Sequence, residues 1–255
     1  MKVSSIVFAQ FSDSHLFGDK SSSHFGQNVY QNLLEVLVHI RDEQNIQFAI
    51  FTGDLTQDHS DQSYRNFVEA MTESGIQVPI YWLAGNHDSL EKMNTLLDHP
   101  LIHHDKTVNV DDLQLLLLNS KSDSPAGLVK PEELQKLANV STPTLIFMHH
   151  HPLPVNYFID RHGLENRQEF WQIVNQQENV IGVACGHIHR GLTIAASGEN
   201  KAPLYGCPAT SIQFDPAYDG VRPLPQGPGY RQFCYRNNTL TTQIISLAYD
   251  GVRVS

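Results

Sequence analysis

The sequence predicts an α/β fold built on a parallel sheet, and two features carry that prediction. Short apolar runs alternate with longer segments in which apolar residues recur at helical spacing. This order of strand, loop and helix gives parallel strands joined by right-handed crossovers. Five of the apolar runs also lead directly into Asp, Asn or His residues, which places polar side chains at the carboxyl ends of strands.

The first half of the chain alternates strand and helix. Its predicted strands are residues 5–10, 48–51 and 78–83, and the helices that follow them are residues 27–44, 62–71 and 90–97. In the first of these helices the apolar residues recur with the spacing of a single helical face; they are Val29, Leu33, Leu34, Leu37 and Ile40. This half therefore predicts parallel strands.

The second half predicts a different arrangement. Strands at 113–118 and 144–148 flank a helix that begins at Pro131, and a helix at 168–176 precedes a strand at 180–185. Beyond residue 191 short strands predominate, separated by Gly, Pro and Asn turns; they are residues 191–196, 211–214, 231–235 and 241–247. We expect them to form a second, mostly antiparallel sheet, with 215–229 as an irregular loop.

Length and composition predict a single domain over residues 1–255. No Pro/Gly/Ser-rich linker divides the 255 residues, and no apolar stretch approaches the roughly 20 residues of a membrane span. The first residues, Met1-Lys2-Val3-Ser4-Ser5, lack the layout of a signal peptide, so we expect a cytoplasmic location. Three scattered cysteines fit a reducing compartment and are too few for a disulfide framework.

Charge narrows the classes of function. A net charge of −10 argues against binding to nucleic acid or to a membrane surface, because both depend on clustered Lys and Arg. An anionic small-molecule substrate would then need bound metal ions to attract it. The 14 histidines are the one compositional excess, and five of them lie at predicted strand ends: His15, His87, His149, His187 and His189.

Two motifs place carboxylates near the sheet edge. Asp13 and His15 are two residues apart, so both project to the same side of an extended chain and could share a metal ion. Asp54 follows Gly53 after an apolar run, and its two oxygens could bridge two cations. Taken singly, Asp54 could equally cap the following turn.

Two further motifs add amide and imidazole donors. In Gly85-Asn86-His87-Asp88, the Asn86 oxygen suits a divalent cation while the His87 imidazole stays free to donate a proton, although Gly-Asn alone also suits a tight turn. His187 and His189 follow a buried strand, with Ile188 between them directed to the core. Two imidazoles on one side of a strand end favour a metal site.

A run of three histidines, His149, His150 and His151, follows the strand that ends at Met148. Because alternating side chains face opposite ways, at most two of the three can face one site. We expect His149 to be the metal ligand, His150 to point to the opposite side and His151 to face the substrate.

Together, in this order, the five motifs resemble those of the calcineurin-like metallophosphoesterase superfamily: D-x-H, G-D, G-N-H-[D/E], H and G-H-x-H. The likeness extends over about residues 5–247 and is greatest to the bacterial class III cyclic nucleotide phosphodiesterases, which include the 3′,5′-cyclic-AMP phosphodiesterases. The resemblance implies a metallo-dependent phosphatase-like fold. This is a four-layer α/β/β/α sandwich of two mixed sheets flanked by helices.

The resemblance also implies a two-metal site in which Asp54 bridges the ions. One ion would be held by Asp13, His15, Asp54 and His189, and the other by Asp54, Asn86, His149 and His187. Iron and manganese are the expected metals, and zinc stays open because the O/N donor set does not decide among them.

The implied reaction is hydrolysis of 3′,5′-cyclic AMP to 5′-AMP. A metal-bridging hydroxide would attack phosphorus in line, and His87 would protonate the leaving oxygen. The implied substrate contacts are His15, Asp54, Asn86, His87, His149 and His189. Members of the superfamily commonly have an Asp that orients this histidine, and Gln57 occupies that position here. Asp58 or Asp88 could orient His87 instead.

Two alternative functions remain possible on the sequence alone. The same metal core could serve glycerophosphodiesters or other nucleotide phosphodiesters, because fold does not settle substrate. A non-catalytic scaffold would be expected to lack ligands, and every ligand position of the family is filled here. The sequence gives no indication of oligomeric state.

Overall fold

The computed structural model describes residues 5–138 and 140–248. None of the helices in these ranges combines the length and the hydrophobicity that a membrane-spanning helix requires. Residues 1–4, which contribute to the expectation of a cytoplasmic location, lie outside the described residues. The three cysteines, Cys185, Cys207 and Cys234, are free thiols, as the sequence predicts.

Fourteen strands and five α-helices make up the described fold. The strands are β1 (Ile6–Phe11), β2 (Ser23–His24), β3 (Gln27–Asn28), β4 (Phe48–Phe51), β5 (Ile80–Trp82), β6 (Ile102–His103), β7 (Thr107–Val110), β8 (Leu113–Leu117), β9 (Thr144–Met148), β10 (Val180–Cys185), β11 (Leu192–Ile194), β12 (Leu204–Gly206), β13 (Gly229–Arg236) and β14 (Thr239–Ser246). The helices are α1 (Val29–Asp42), α2 (Asp61–Ser74), α3 (Leu90–Leu96), α4 (Pro131–Gln135) and α5 (Arg167–Val174), and a 3-10 helix covers Phe158–His162.

Two six-stranded mixed sheets form the centre of the molecule. The first has the order β14-β13-β1-β4-β5-β6, and the second has the order β11-β12-β10-β9-β8-β7. Each contains four parallel strands, β1, β4, β5 and β6 in the first and β8, β9, β10 and β12 in the second. β2 and β3 form a separate hairpin.

The side-chain alternation of the strands explains the four layers. Along β1, Phe8 faces a core shared with the second sheet, whereas Ala9 faces the core formed with α1, α2 and α3. Along β9, Phe147 faces the same shared core, whereas Ile146 faces the core formed with α4 and α5. The result is the α/β/β/α sandwich that the resemblance implies, so the predicted fold class is confirmed.

Two predictions about the second half are wrong. The second sheet is not mostly antiparallel, because only its edge strands β7 and β11 run against their neighbours. β13 and β14 instead complete the first sheet, where β13 pairs with β1. β13 lies between β14 and β1 and is covered on both faces: Tyr230 packs toward the helices and Phe233 toward the second sheet. Alternating polarity alone does not reveal which sheet a strand joins.

The predicted strand at residues 211–214 is also absent. This segment is a loop whose backbone bonds go to two site loops, from Ser211 N to Asp13 O and from Phe214 N to His189 O. The irregular loop expected over 215–229 is present up to the start of β13.

Candidate metal centre

The carboxyl ends of β1, β4, β5, β9 and β10 meet at one place, so both sheets contribute to a single cluster of polar side chains. The seven predicted ligands all belong to it: Asp13, His15, Asp54, Asn86, His149, His187 and His189. Two sets of three with ligand atoms within 4.8 Å of one another consist of predicted ligands alone: Asp13, His15 and His189, and Asp13, Asp54 and His149. Two further sets each include a residue outside the prediction, since His150 joins His149 and His187, and His87 joins His15 and Asp54. Except for the half-buried Asn86, the side chains of the predicted ligands are buried.

Five of these residues adopt left-handed backbone angles that L-residues rarely take. The φ values are 58° at Asp13, 46° at His15, 56° at Asp54, 65° at His187 and 49° at His189. Such angles are unfavourable for residues with a Cβ, and they persist where the surrounding structure enforces them. Here they turn the side chains from the strand direction into the cluster.

Close backbone contact between two site loops requires glycine. A Cβ on Gly53 would lie 2.3 Å from the Gly85 nitrogen, and a Cβ on Gly85 would lie 2.2 Å from Asp54 Oδ1. Gly53 also has a φ of 91°. The Gly-Asp and Gly-Asn motifs therefore use glycine to bring the ends of β4 and β5 together.

One half of the cluster contains Asp13, His15 and His189. The His189 ring donates Nδ1–H to Ile212 O at 2.8 Å, and His15 Nδ1 lies 2.8 Å from Gln57 Oε1. Their Nε2 atoms are 3.1 Å apart, and His189 Nε2 is 3.4 Å from Asp13 Oδ1. Ring nitrogens fixed at Nδ1 and converging at Nε2 have the arrangement of metal-binding imidazoles.

The other half contains His149, Asn86 and His187. His149 donates Nδ1–H to Thr52 O at 2.7 Å, and its Nε2 lies 3.1 Å from Asn86 Oδ1. His187 Nε2 is buried without a hydrogen-bond partner among the described residues. A buried imidazole nitrogen in this state fits a site that binds a cation.

Asp54 lies between the two halves. Its Oδ2 is 3.3 Å from His149 Nε2 and 3.7 Å from His15 Nε2. Burial raises the pKa of Asp54, but the neighbouring histidines, chiefly His149, outweigh burial and hold that pKa well below its usual range. Because a carboxylate has two oxygens, one that lies between two groups of imidazoles can contact cations on both sides.

The imidazole protonation states also suit metal binding. Burial lowers the pKa of His15 and of His187 well below the usual value, which favours the neutral form that can bind a cation. Burial lowers the pKa of His149 as well, but Asp54 and Asp13 more than offset this and raise it to about 9. In the ion-free site, Asp54 therefore favours a positive charge beside it.

The proposed acid His87 lies at the edge of the cluster. Its backbone N–H donates to Asp54 Oδ1 at 2.9 Å, and its ring is 4.9 Å from the His15 ring. Its Nδ1 has no hydrogen-bond partner in the described part of the chain. Burial lowers the pKa of His87, the nearby Asp54 charge opposing that effect.

Neither expected aspartate orients the His87 ring. Asp88 accepts backbone hydrogen bonds of 2.8 Å from Asp54, Leu55 and Gly85, so it holds the two site loops together. Burial, and then the Asp54 charge, raise the pKa of Asp88 to about 6. Asp58 instead accepts bonds from Gly18 and Ser60.

The structure agrees with part of the prediction for the three consecutive histidines. His149 joins the cluster as expected, but the expectation that His150 faces the opposite side is wrong. The His150 ring lies 4.9 Å from the His149 ring and 4.8 Å from the His187 ring. Strand β9 ends at Met148, so the alternation of an extended strand no longer applies beyond it. His151 pairs with Asp160 at 3.1 Å.

Several residues that contact the site were not predicted from the sequence as site residues. The Phe214 ring stacks on His189 at 3.9 Å, and the His59 ring stacks on His87 at 5.7 Å. His59 also donates Nδ1–H to His87 O at 2.9 Å, and Lys121 Nζ donates to Asn86 O at 2.8 Å. The ring of His24 is 5.6 Å from that of His15. Only Phe214 belonged to a predicted element, as the last residue of the strand expected at 211–214. None of the four directly follows a strand that leads into a metal motif, so the strand-end pattern does not mark them.

Comparison with known proteins gives consistent matches. Residues 6–191 match the family described as "Calcineurin-like phosphoesterase". A protein named "Probable cyclic nucleotide phosphodiesterase" from Colwellia psychrerythraea is 47% identical over 250 residues, covering 95% of each chain. The 3′,5′-cyclic adenosine monophosphate phosphodiesterase CpdA of Escherichia coli is 33% identical over 249 residues, covering 94% of this chain and 89% of that protein.

The fold also matches solved structures. A dimetal phosphatase from Danio rerio superposes with a TM-score of 0.63 and covers 96% of this chain and 99% of its own. Its sequence is only 13% identical, so this likeness supports the fold alone.

Proposed function

The chain belongs to the calcineurin-like phosphoesterase family, and from that premise we propose that it hydrolyses 3′,5′-cyclic AMP to 5′-AMP. The observation that carries the proposal is the convergence of the seven predicted ligands at the junction of the two sheets. The substrate follows from relatives whose names specify cyclic nucleotides, over nearly the whole chain.

We assign two divalent metal ions to this cluster. Asp13, His15 and His189 would hold one ion, Asn86, His149 and His187 would hold the other, and Asp54 would bridge them. When bound, such a pair activates a water molecule and neutralises charge on the phosphoryl oxygens. Oxygen and imidazole donors without thiolate suit iron and manganese, and also zinc.

His87 is the proposed general acid. Its ring lies beside the metal cluster without belonging to either proposed ligand set, and its Nδ1 makes no bond with the described residues. In hydrolysis of the cyclic diester, the bond from phosphorus to the ribose 3′ oxygen breaks and His87 supplies the proton to that oxygen. Asp54 positions His87 through its backbone N–H.

The substrate phosphate is proposed to lie across the cluster. The residues proposed to contact it are His15, Asp54, Asn86, His87, His149 and His189. The cations must supply most of the attraction, because the chain as a whole carries a charge of −10.

Metal removal and replacement of the bridge test the proposal. Chelator should abolish hydrolysis of cyclic AMP, and manganese or ferrous iron should restore it. Asp54→Ala should lose both bound metal and activity. Asp58→Ala is the matched control: this exposed carboxyl lies in the same loop outside the cluster, so the variant should retain two metals per chain. Full activity in metal-free protein would disprove the proposal.

A substrate panel separates cyclic AMP from other diesters. The protein loaded with manganese should cleave 3′,5′-cyclic AMP with a higher kcat/KM than glycerophosphocholine. The reverse order would assign the same site to glycerophosphodiesters and leave the two-metal proposal intact.

A further inference from the structure

A short hairpin extends beside the candidate metal centre and presents an aromatic ring to solvent. It consists of residues 23–28, with strands β2 and β3 joined by Phe25 and Gly26. Phe25 is 52% exposed, more than the other large apolar side chains of the described residues. The exposed ring calls for an explanation, because burial would stabilise it.

The Phe25 hairpin has an unusual residue in its turn. Phe25 has a φ of 50° and Gly26 a φ of 80°, so both turn residues are left-handed. Two-residue turns of this kind favour Asn, Asp or Gly, whereas an aromatic residue with a Cβ is disfavoured there. Residues held in unfavourable angles concentrate at binding sites, and this observation points to a role for the Phe25 ring.

Ring contacts connect Phe25 to the metal centre. The Phe25 ring is 4.8 Å from the His24 ring, which in turn is 5.6 Å from the ring of His15. Two ring contacts therefore separate the Phe25 ring from a proposed metal ligand.

The surroundings of the hairpin leave room for a ligand. A Cβ built on Gly26 meets no atom within 4 Å, so the turn is open. His24 Nδ1 is buried and has no hydrogen-bond partner among the described residues, although nearly all buried polar atoms find one. The base of the hairpin is anchored, since Asn28 accepts a hydrogen bond from Gln31 N at 3.0 Å and caps α1.

We propose that Phe25 is a specificity-determining residue whose ring stacks on the nucleobase of a nucleotide held at the metal centre. This inference rests on the proposed function and extends it, because the metal site recognises only the phosphate. An exposed aromatic ring two ring contacts from a proposed metal ligand can supply the contact that distinguishes a nucleotide from other phosphodiesters. Stacking of a base on an aromatic side chain contributes about tenfold in affinity.

The first test compares two cyclic phosphates. In Phe25→Ala, the KM for 3′,5′-cyclic AMP should rise about tenfold with little change in kcat. The KM for methyl riboside 3′,5′-cyclic phosphate, which lacks the base, should stay unchanged. Phe25→Trp keeps an aromatic ring and should keep the KM for cyclic AMP near that of wild type. Ile244→Ala, at an exposed apolar position on β14, should leave the KM for both substrates unchanged.

The results separate the two proposals. An equal change on both substrates would show that Phe25 only supports the site, and no change on either would show that the base lies elsewhere; both results overturn the inference. Wild-type protein that cleaves neither substrate would overturn the proposed function instead.

A binding measurement tests the stacking without catalysis. The indole of Phe25→Trp would replace an exposed ring, whereas the native Trp82 and Trp171 are buried. With manganese bound, 5′-AMP should quench the additional fluorescence and ribose 5-phosphate should not. Equal quenching by both ligands, or by neither, would contradict stacking on the base.

Discussion

At the residue scale, the site depends on side chains that leave their strands in unfavourable backbone conformations. Asp13 and His15 after β1 have nearly the same angles as His187 and His189 after β10. Each pair thus directs two donors toward the junction of the sheets. Regular strand geometry would direct them elsewhere, which explains why these loops need so many supporting hydrogen bonds, such as Asp13 N to Gly53 O and His15 N to Asp54 O.

His87→Ala should reduce turnover of cyclic AMP by roughly 10²–10⁴-fold, as expected for loss of a general acid. The protein should retain two metals per chain, because His87 lies outside the proposed ligand sets. The loss should be smaller with bis(p-nitrophenyl) phosphate, whose nitrophenolate leaves without a proton. Equal losses on both substrates would instead indicate that His87 supports the metal site.

The three histidines after β9 should differ in their effect on metal content. His149→Ala should lose metal, because its Nε2 lies between Asn86 and Asp54. His150→Ala and His151→Ala should retain two metals per chain, which elemental analysis of the purified variants can measure. His150 is the critical comparison because its ring also contacts that of His187. Metal loss in His150→Ala with retention in His149→Ala would transfer the ligand role to His150.

Much of the site could be predicted from the sequence because its residues follow apolar strands directly. Asp13, Asp54 and Asn86 are each fixed by the strand before them, so position along the chain gives position in space. The contacts of His59, Phe214 and His24 depend on how loops return to the site from distant segments. The spacing of residues along the chain does not show which distant loop will contact the site.

At the scale of single elements, local signals at the ends of helices are reliable. Ser60 caps α2 by accepting a hydrogen bond from Ser63 N at 3.2 Å, and Gly75 ends the helix with a φ of 66°. Pro131 begins α4, as expected of proline in a first turn. These residues act on their nearest neighbours, and of the three only Pro131 was part of the prediction from the sequence.

Ser60→Ala should lower the free energy of unfolding by about 1 kcal/mol, because it removes the hydroxyl that accepts the Ser63 N–H. Ser60→Thr keeps a hydroxyl and should lose less. Urea denaturation of the three proteins measures the difference. An alanine variant as stable as wild type would indicate that water replaces the cap.

Strand pairing was less predictable than strand position. β13 and β14 were expected near their observed positions but in the wrong sheet, and β12 was not expected at all. Pairing of β13 with β1 joins residues at opposite ends of the described chain. Such long-range pairing depends on which apolar faces fit together. The alternation of polar and apolar residues along a strand does not show which strand will be its partner.

At the scale of the whole molecule, the two sheets pack through aromatic rings. Phe8 is fully buried between them, with ring centroids 4.8 Å from Phe48, 5.2 Å from Phe233 and 6.3 Å from Phe147. Three of these rings belong to the first sheet and Phe147 to the second. This contact aligns the two strand edges that form the metal centre. That residues 1–255 form one domain stays a prediction.

Phe8→Ala should lower the free energy of unfolding by about 3–5 kcal/mol, because it leaves a cavity between the sheets. Phe8→Leu should lose less, since it fills most of that space. Both are measured by urea denaturation of the metal-loaded protein. A loss below about 1 kcal/mol in Phe8→Ala would mean that the sheets do not depend on this contact.

The pairing of β1 with β13 also bears on the order in which the candidate metal centre can form during synthesis. β1 is made before the other strands of the described fold, yet one of its two neighbours in the first sheet is made only after β12 and the long loop that follows it. His189, beyond the end of β10, likewise emerges long after Asp13. Until these distant segments have been made, the earlier donors lie beside an incomplete sheet, so we expect the proposed metal site to form late in folding.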